Sequence, residues 1–135
     1  SFFYTAQKLY QFAEEYGPEG RSAYIQARWT FDVLFPLVYG FFLAVTISWV
    51  FRRASLPGKF LRWLNLAPVL GVIFDYLENA STSIVLGRYP EPTKVIDTLA
   101  GILTSIKWIF VGGSFIILLT GMVLTVFQKL LKVEK

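Results

Sequence analysis

The chain has 135 residues, 55% of them hydrophobic and 16% charged, with a formal net charge of +4. Soluble domains carry nearer a quarter of charged residues, so this balance points to lipid and to a single domain. With no histidine and no cysteine, the sequence offers no disulfide framework, no zinc or haem site of the usual ligand types and no thiol or imidazole catalyst. The positive charge is too small, and too concentrated at segment ends, to indicate nucleic acid, and neither a metal nor a cofactor is expected.

Residues 1–16 carry Leu9, Phe12, Ala13 and Tyr16 at helical spacing, with Lys8, Gln11, Glu14 and Glu15 mostly elsewhere. That pattern predicts an amphipathic helix, which Gly17-Pro18-Glu19-Gly20 ends with a turn. Lys8, Glu14 and Glu15 interrupt any apolar run, so no signal-peptide pattern is present. Two placements stay open. The segment lies on the membrane surface, or it continues an earlier span that ends near Phe2-Phe3. The second is preferred, because it gives four helices with both ends on one side.

Three later stretches meet the requirement of about 20 mostly apolar residues for a spanning helix. Helix A is expected over 22–52, where Asp32 is the only charge between Arg28 and Arg52. Helix B is expected over 59–88, where Asp75 and Glu78 are the only charges between Arg62 and Arg88. Helix C is expected over 93–131, with no charge between Lys107 and Lys129. Residues 94–129 would make roughly 50 Å of helix against a hydrocarbon core of about 30 Å, so helix C must tilt, kink near Gly112-Gly113, or project. The fold class is an all-α transmembrane helical bundle, one membrane domain over 1–135.

Trp29 and Trp108 fall at one end of this bundle and Trp49 and Trp63 at the other, as interfacial belts would. The A–B loop holds Arg52, Arg53, Lys59 and Arg62 with no acid, and the tail, with Lys129, Lys132 and Lys135 against Glu134, is also basic. Positive loops stay inside, so the A–B loop and the C-terminus are expected in the cytoplasm, with the protein multi-pass in the cell (plasma or inner) membrane. The basic loop is read as setting this topology, with anionic lipid binding as the alternative.

Ionisable residues inside a bilayer are costly and usually meet partners in the bundle interior. At 1.5 Å per residue from the cytoplasmic ends, Asp75 lies about 18 Å up, Glu78 about 22 Å, Asn79 about 24 Å, Asp32 about 28 Å and Lys107 about 31 Å. Arg28 sits one turn above Asp32. Asp75, Glu78 and Asn79 share a helix face, which Thr82 continues. Pro36 lacks an N–H, so the Asp32 carbonyl loses its helical partner. Arg28, Asp32, Asp75, Glu78, Asn79 and Lys107 are therefore the candidate binding residues, with Asp75, Glu78 and Asp32 the candidates for acid–base work. In the structural version, Lys107 or Arg28 pairs with Asp32 and Glu78, while Asn79 and Thr82 bridge helices. Tyr24, Tyr39, Tyr76 and Tyr89 are read as belt or core residues, with ligand stacking as the alternative. Gly101 with Ser105, and Gly121 with Thr125, are small pairs expected to let helices approach.

Two motifs bear a family resemblance. Gly17-Pro-Glu-Gly20-Arg21-Ser-Ala-Tyr24, followed by Asp32 and Pro36, and Phe74-Asp75-Tyr-Leu-Glu78-Asn79, followed by Tyr89-Pro90, look like a pattern in small, roughly four-span bacterial and archaeal membrane proteins of unassigned function. The likeness covers about 21–90. It implies that Arg21, Tyr24, Asp32, Asp75, Glu78 and Asn79 belong to that pattern, and it implies no activity.

No phosphate loop, Gly-x-Ser-x-Gly or zinc-protease helix is present. Three functions stay open. The polar layer is structural, or holds a lipid or a partner membrane helix. Alternatively, Asp75 and Glu78 act as acid and base on a lipid-like substrate, with Lys107 or Arg28 holding an anionic group. Lastly, the chain is a proton- or cation-pathway subunit, which with three spans requires an oligomer.

Overall fold

The computed structural model describes residues 4–54 and 58–133. Phe2-Phe3, the middle of the A–B loop and Lys135 lie outside the described residues. Four helices follow one another: α1 (Ala6–Arg28), α2 (Phe31–Arg53), α3 (Gly58–Arg88) and α4 (Ile96–Val133). There is no strand among the described residues. Among the described residues three helical stretches are long and apolar enough to cross a membrane, and the first joins α1 and α2 through a bend.

The Thr5 side chain caps α1 by accepting from the Lys8 N–H at 3.2 Å. Leu9 and Ala13 are buried, whereas Lys8, Gln11, Glu14 and Glu15 are exposed, so this stretch is amphipathic as its spacing predicts. Gly17 breaks the helix at φ 68° and ψ 175°, a backbone region that is essentially glycine-only. The expected turn is thus a sharp kink. The chain re-enters helix directly at Pro18, whose fixed φ suits a first helical position.

Helix A of the sequence reading, 22–52, is divided at Trp29-Thr30. The Thr30 hydroxyl donates to the Gln26 carbonyl at 2.8 Å, closing α1 before α2 begins at Phe31. Gln26, Arg28, Thr30 and Asp32 alternate with apolar residues across this point, and no glycine or proline marks it. Helix α4 runs as one 38-residue helix through Gly112-Gly113, about 57 Å at 1.5 Å per residue and so longer than a hydrocarbon core.

Helices α3 and α4 pack most extensively, followed by α2 against α3. Glycines set the close approaches. A Cβ on Gly40 would stand 2.5 Å from Val72 Cγ2, on Gly71 2.9 Å from Val111 Cγ2, and on Gly121 2.6 Å from the Phe51 ring. Two apolar clusters result. Leu9 and Ala13 of α1 pack on Val85, Leu86 and Ala100, while Leu43, Ile47, Val50, Phe51 and Leu118 fill the other end. The surface reverses the usual order of a soluble protein. Phe31, Phe41, Ile109 and Leu119 are exposed, while Asp75, Glu78, Asn79, Thr82 and Thr104 are buried. The tryptophans Trp29, Trp49, Trp63 and Trp108 all face outward.

Candidate functional site

Between the two apolar clusters, α3 turns Asp75, Glu78, Asn79 and Thr82 inward at i, i+3, i+4 and i+7, one face of a helix. Lys107 of α4 meets this face. Its Nζ lies 2.7 Å from Glu78 Oε2 and 3.8 Å from Asp75 Oδ1. Arg28, at the end of α1, reaches in from the other side. Its Nη2 stands 3.6 Å from Glu78 Oε1, and its Nε 3.6 Å from Asp32 Oδ2. The Arg28–Asp32 pair straddles the α1–α2 break. Glu78 therefore sits between two cations, which is how a carboxylate becomes tolerable away from water.

Neutral groups complete the network. Arg28 Nη1 donates to Asn79 Oδ1 at 2.6 Å, and the same guanidinium donates to the Tyr24 hydroxyl. Asn79 Nδ2 in turn donates to the Asp32 carbonyl at 3.0 Å, the acceptor that Pro36 leaves spare. The Tyr39 hydroxyl donates to Asp75 Oδ2 at 2.7 Å, and the Tyr4 hydroxyl to Glu78 Oε1 at 3.1 Å. Thr104, whose hydroxyl donates to the Ala100 carbonyl of its own helix at 3.1 Å, is buried beside the layer.

All six candidates named from sequence thus occupy one layer. Of the two cations offered for Asp32 and Glu78, Arg28 meets both, while Lys107 shares Glu78 and adds Asp75. Asn79 does join α3 to α1 and α2. Thr82 does not bridge helices, since its hydroxyl donates to the Glu78 and Asn79 carbonyls of its own helix. Tyr89 lies apart, under the Arg21 guanidinium at 4.6 Å, and Arg21 Nη1 donates to the Ala13 carbonyl at 2.7 Å, bracing the Gly17 kink.

Sequence reasoning missed Tyr4 and Tyr10. Tyr10 donates to Asp97 Oδ2 at 2.9 Å and accepts from the Thr93 N–H at 2.7 Å, tying α1 to the start of α4. Both phenols find partners more than 70 residues away, which no local pattern reports.

Two cavities flank the layer. One of about 330 Å³ is lined by Arg28, Asp32, Asp75 and Lys107 at its polar side and by Phe35, Pro36, Val111 and Phe115 elsewhere. Another of about 390 Å³ lies beneath α1 and includes Tyr4, Tyr24, Glu78 and Thr104. Arg28, Lys107 and Trp108 line both, so the two cations sit at their common wall. Among the described residues no group of carboxylates is arranged to hold a metal ion.

An apolar exterior, an ionisable interior and helices of spanning length define a small multi-pass α-helical membrane protein. No protein family, curated protein or solved structure matches the chain.

Proposed function

We propose that this protein binds an amphiphile within the membrane, its polar head in the Arg28–Asp32–Asp75–Lys107 cavity and its apolar part against Phe35 and Phe115. One observation carries this reading: a cavity of about 330 Å³ has a charged end and an apolar remainder, with Phe35 and Phe115 exposed on the lipid-facing surface. Ligand sites are commonly of this size and this mixed character. The lining holds two cations and two carboxylates, which favours a zwitterionic or polyhydroxyl head over one of strong net charge. Asp32 is the accessible member, with 42% of its side chain exposed, and it stands where a head group would first meet the protein. The buried remainder of the network holds the helices in register around the cavity, so the structural and binding roles share one set of residues.

Catalysis and conduction have less support. Asp75 and Glu78 are both held by Lys107, an arrangement that opposes free exchange of a proton. Below Asp75, residues 66–74 of α3 are all apolar, so this helix offers no polar relay toward Asn65. The likeness to small four-span prokaryotic membrane proteins rests on the two motifs alone and adds no activity. The cytoplasmic placement of the A–B loop and C-terminus rests on the distribution of lysine and arginine, and a cysteine-accessibility scan of single cysteines placed near Lys59 and Tyr89 tests it.

The binding reading is tested on protein purified in mild detergent, with bound lipids identified by native mass spectrometry. A single amphiphile with a zwitterionic or uncharged head should co-purify, and Asp32→Leu should lose it while melting normally. Wild-type protein without such a ligand, or equal retention by Asp32→Leu, would overturn the proposal.

A further inference from the structure

The opposite end of the bundle brings charge and lipid-facing grooves together at a separate place. From 33 to 74 the sequence has no acidic residue, yet it holds Arg52, Arg53, Lys59 and Arg62. Helix α4 brings Lys129 and Lys132 to the same end, where Gln128 Nε2 donates to the Ala54 carbonyl at 3.5 Å. Residues 98–133 are also free of acids, and Glu134, which lies outside the described residues, is flanked by Lys132 and Lys135, so this end is strongly basic.

Two grooves diverge from Arg52. One of about 690 Å³ follows the lipid-facing side of α2 past Trp49, Val45 and Ala44 to Phe41. Another of about 570 Å³ lies between α2 and α3, beside Arg62, Leu66 and Val69. Ser48 and Arg52 line both. At the α2–α3 groove, Asn65 Nδ2 donates to Ser48 Oγ at 2.7 Å, which joins the two helices about one turn along α3 from Arg62. Arg53 is stacked over the exposed Trp49 at 4.1 Å, which marks this level as interfacial.

A phosphate needs cations without competing carboxylates, and two acyl chains need two apolar channels leaving one point. We infer that Arg52 and Arg62 hold the phosphate of one anionic glycerophospholipid whose chains occupy the two grooves. Phosphatidylglycerol is the simplest such lipid, since its head carries one negative charge and no cation to oppose the basic cluster. A basic loop that only fixes orientation would attract anionic lipid diffusely, with no dependence on groove shape.

The test reconstitutes the protein in phosphatidylcholine nanodiscs containing a minority of phosphatidylglycerol and counts retained lipids by native mass spectrometry. One phosphatidylglycerol should be kept in preference to phosphatidylcholine. Arg52→Gln and Arg62→Gln should each lower retention about fivefold, the worth of one basic residue at an anionic surface, and Arg52→Lys should restore most of it. Ala44→Phe fills a groove on the lipid-facing side without altering charge and should also lose the lipid. Lys132→Gln removes an equal charge outside the grooves and should change retention by less than about twofold. Equal losses in Lys132→Gln and Arg52→Gln, or full retention in Ala44→Phe, would overturn the site. Displacement of the lipid by inorganic phosphate would show a free-anion site instead. None of these outcomes bears on the amphiphile cavity, which lies at the other end of α2 and α3.

Discussion

The side-chain amide of Asn79 donates to the main-chain carbonyl of Asp32 at 3.0 Å, the carbonyl that Pro36 leaves without its helical donor. The next carbonyl, Val33, accepts from the Tyr76 hydroxyl at 2.7 Å. Two side chains of α3 thus cover the place where the hydrogen-bond ladder of α2 is broken, and Asn79 also accepts from Arg28. One amide couples three helices. In a bilayer an unmet carbonyl has no water to turn to, which gives this contact its weight.

Replacing Asn79 by leucine leaves the Asp32 carbonyl and Arg28 Nη1 without this partner. Unfolding free energy in micelles should fall by roughly 1–3 kcal/mol. In a Pro36→Ala background residue 36 regains an N–H, so the same replacement should cost less by at least about 0.5 kcal/mol. A double-mutant cycle measures this, and equal costs in both backgrounds would contradict the coupling.

The ion network predicts an order of damage. Lys107→Met leaves Asp75 and Glu78 facing each other with Arg28 alone to compensate, a loss of about 3–5 kcal/mol for a broken buried pair. Glu78→Gln should cost less, because Lys107 keeps Asp75 at 3.8 Å. Asp75→Asn should cost least, because the Lys107–Glu78 contact at 2.7 Å survives. Melting temperatures of the three purified variants in one detergent check the order. Asp75→Asn melting below Lys107→Met would refute it.

Glycine substitutions separate packing from backbone effects. Gly71→Leu must displace Val111 and part α3 from α4, an overpacking cost of about 1–3 kcal/mol. Gly112→Ala meets nothing within 4 Å and gains helix propensity, so it should be neutral or stabilising by up to about 1 kcal/mol. Thermal unfolding of both variants, compared with wild type, distinguishes them.

The N-terminal strap should respond to its kink and to its latch. Gly17→Ala forces a side chain into φ 68°, at a cost of about 1–3 kcal/mol. Tyr10→Phe removes a bond to Asp97 and another to the Thr93 N–H. Hydrogen exchange over residues 6–16 should accelerate in both variants while residues 96–120 stay protected. Unchanged exchange in Tyr10→Phe would show that Leu9 and Ala13 hold the strap by themselves.

Particular residues show what each level of description contributed. Charge spacing along α3 and a rise of 1.5 Å per residue were enough to put Asp32, Asp75, Glu78, Asn79 and Lys107 at a common depth. The spare carbonyl beside Pro36 was equally legible, since it follows from a missing N–H. The identity of its donor was not, because Asn79 is 47 positions away. Gly40 with Ala44 and Ala67 with Gly71 are small pairs of the same spacing as those read on α4, but only the fold shows that Gly40 meets Val72 and Gly71 meets Val111. The split at Trp29-Thr30 was hidden because no glycine or proline lies between Arg21 and Phe35 to announce it.

By itself, then, the sequence determined the solvent and the secondary structure. Long apolar runs cannot stay in water, and in lipid they must satisfy their backbone as helices. It also determined which costly groups lie at one height. Only the tertiary structure decided which charge answers which, that Tyr4 and Tyr39 cap the two inner carboxylates, and that a cavity opens beside Asp32 toward lipid. Those choices depend on helix rotation and crossing, which are fixed by glycine contacts and side-chain packing between segments far apart in the chain.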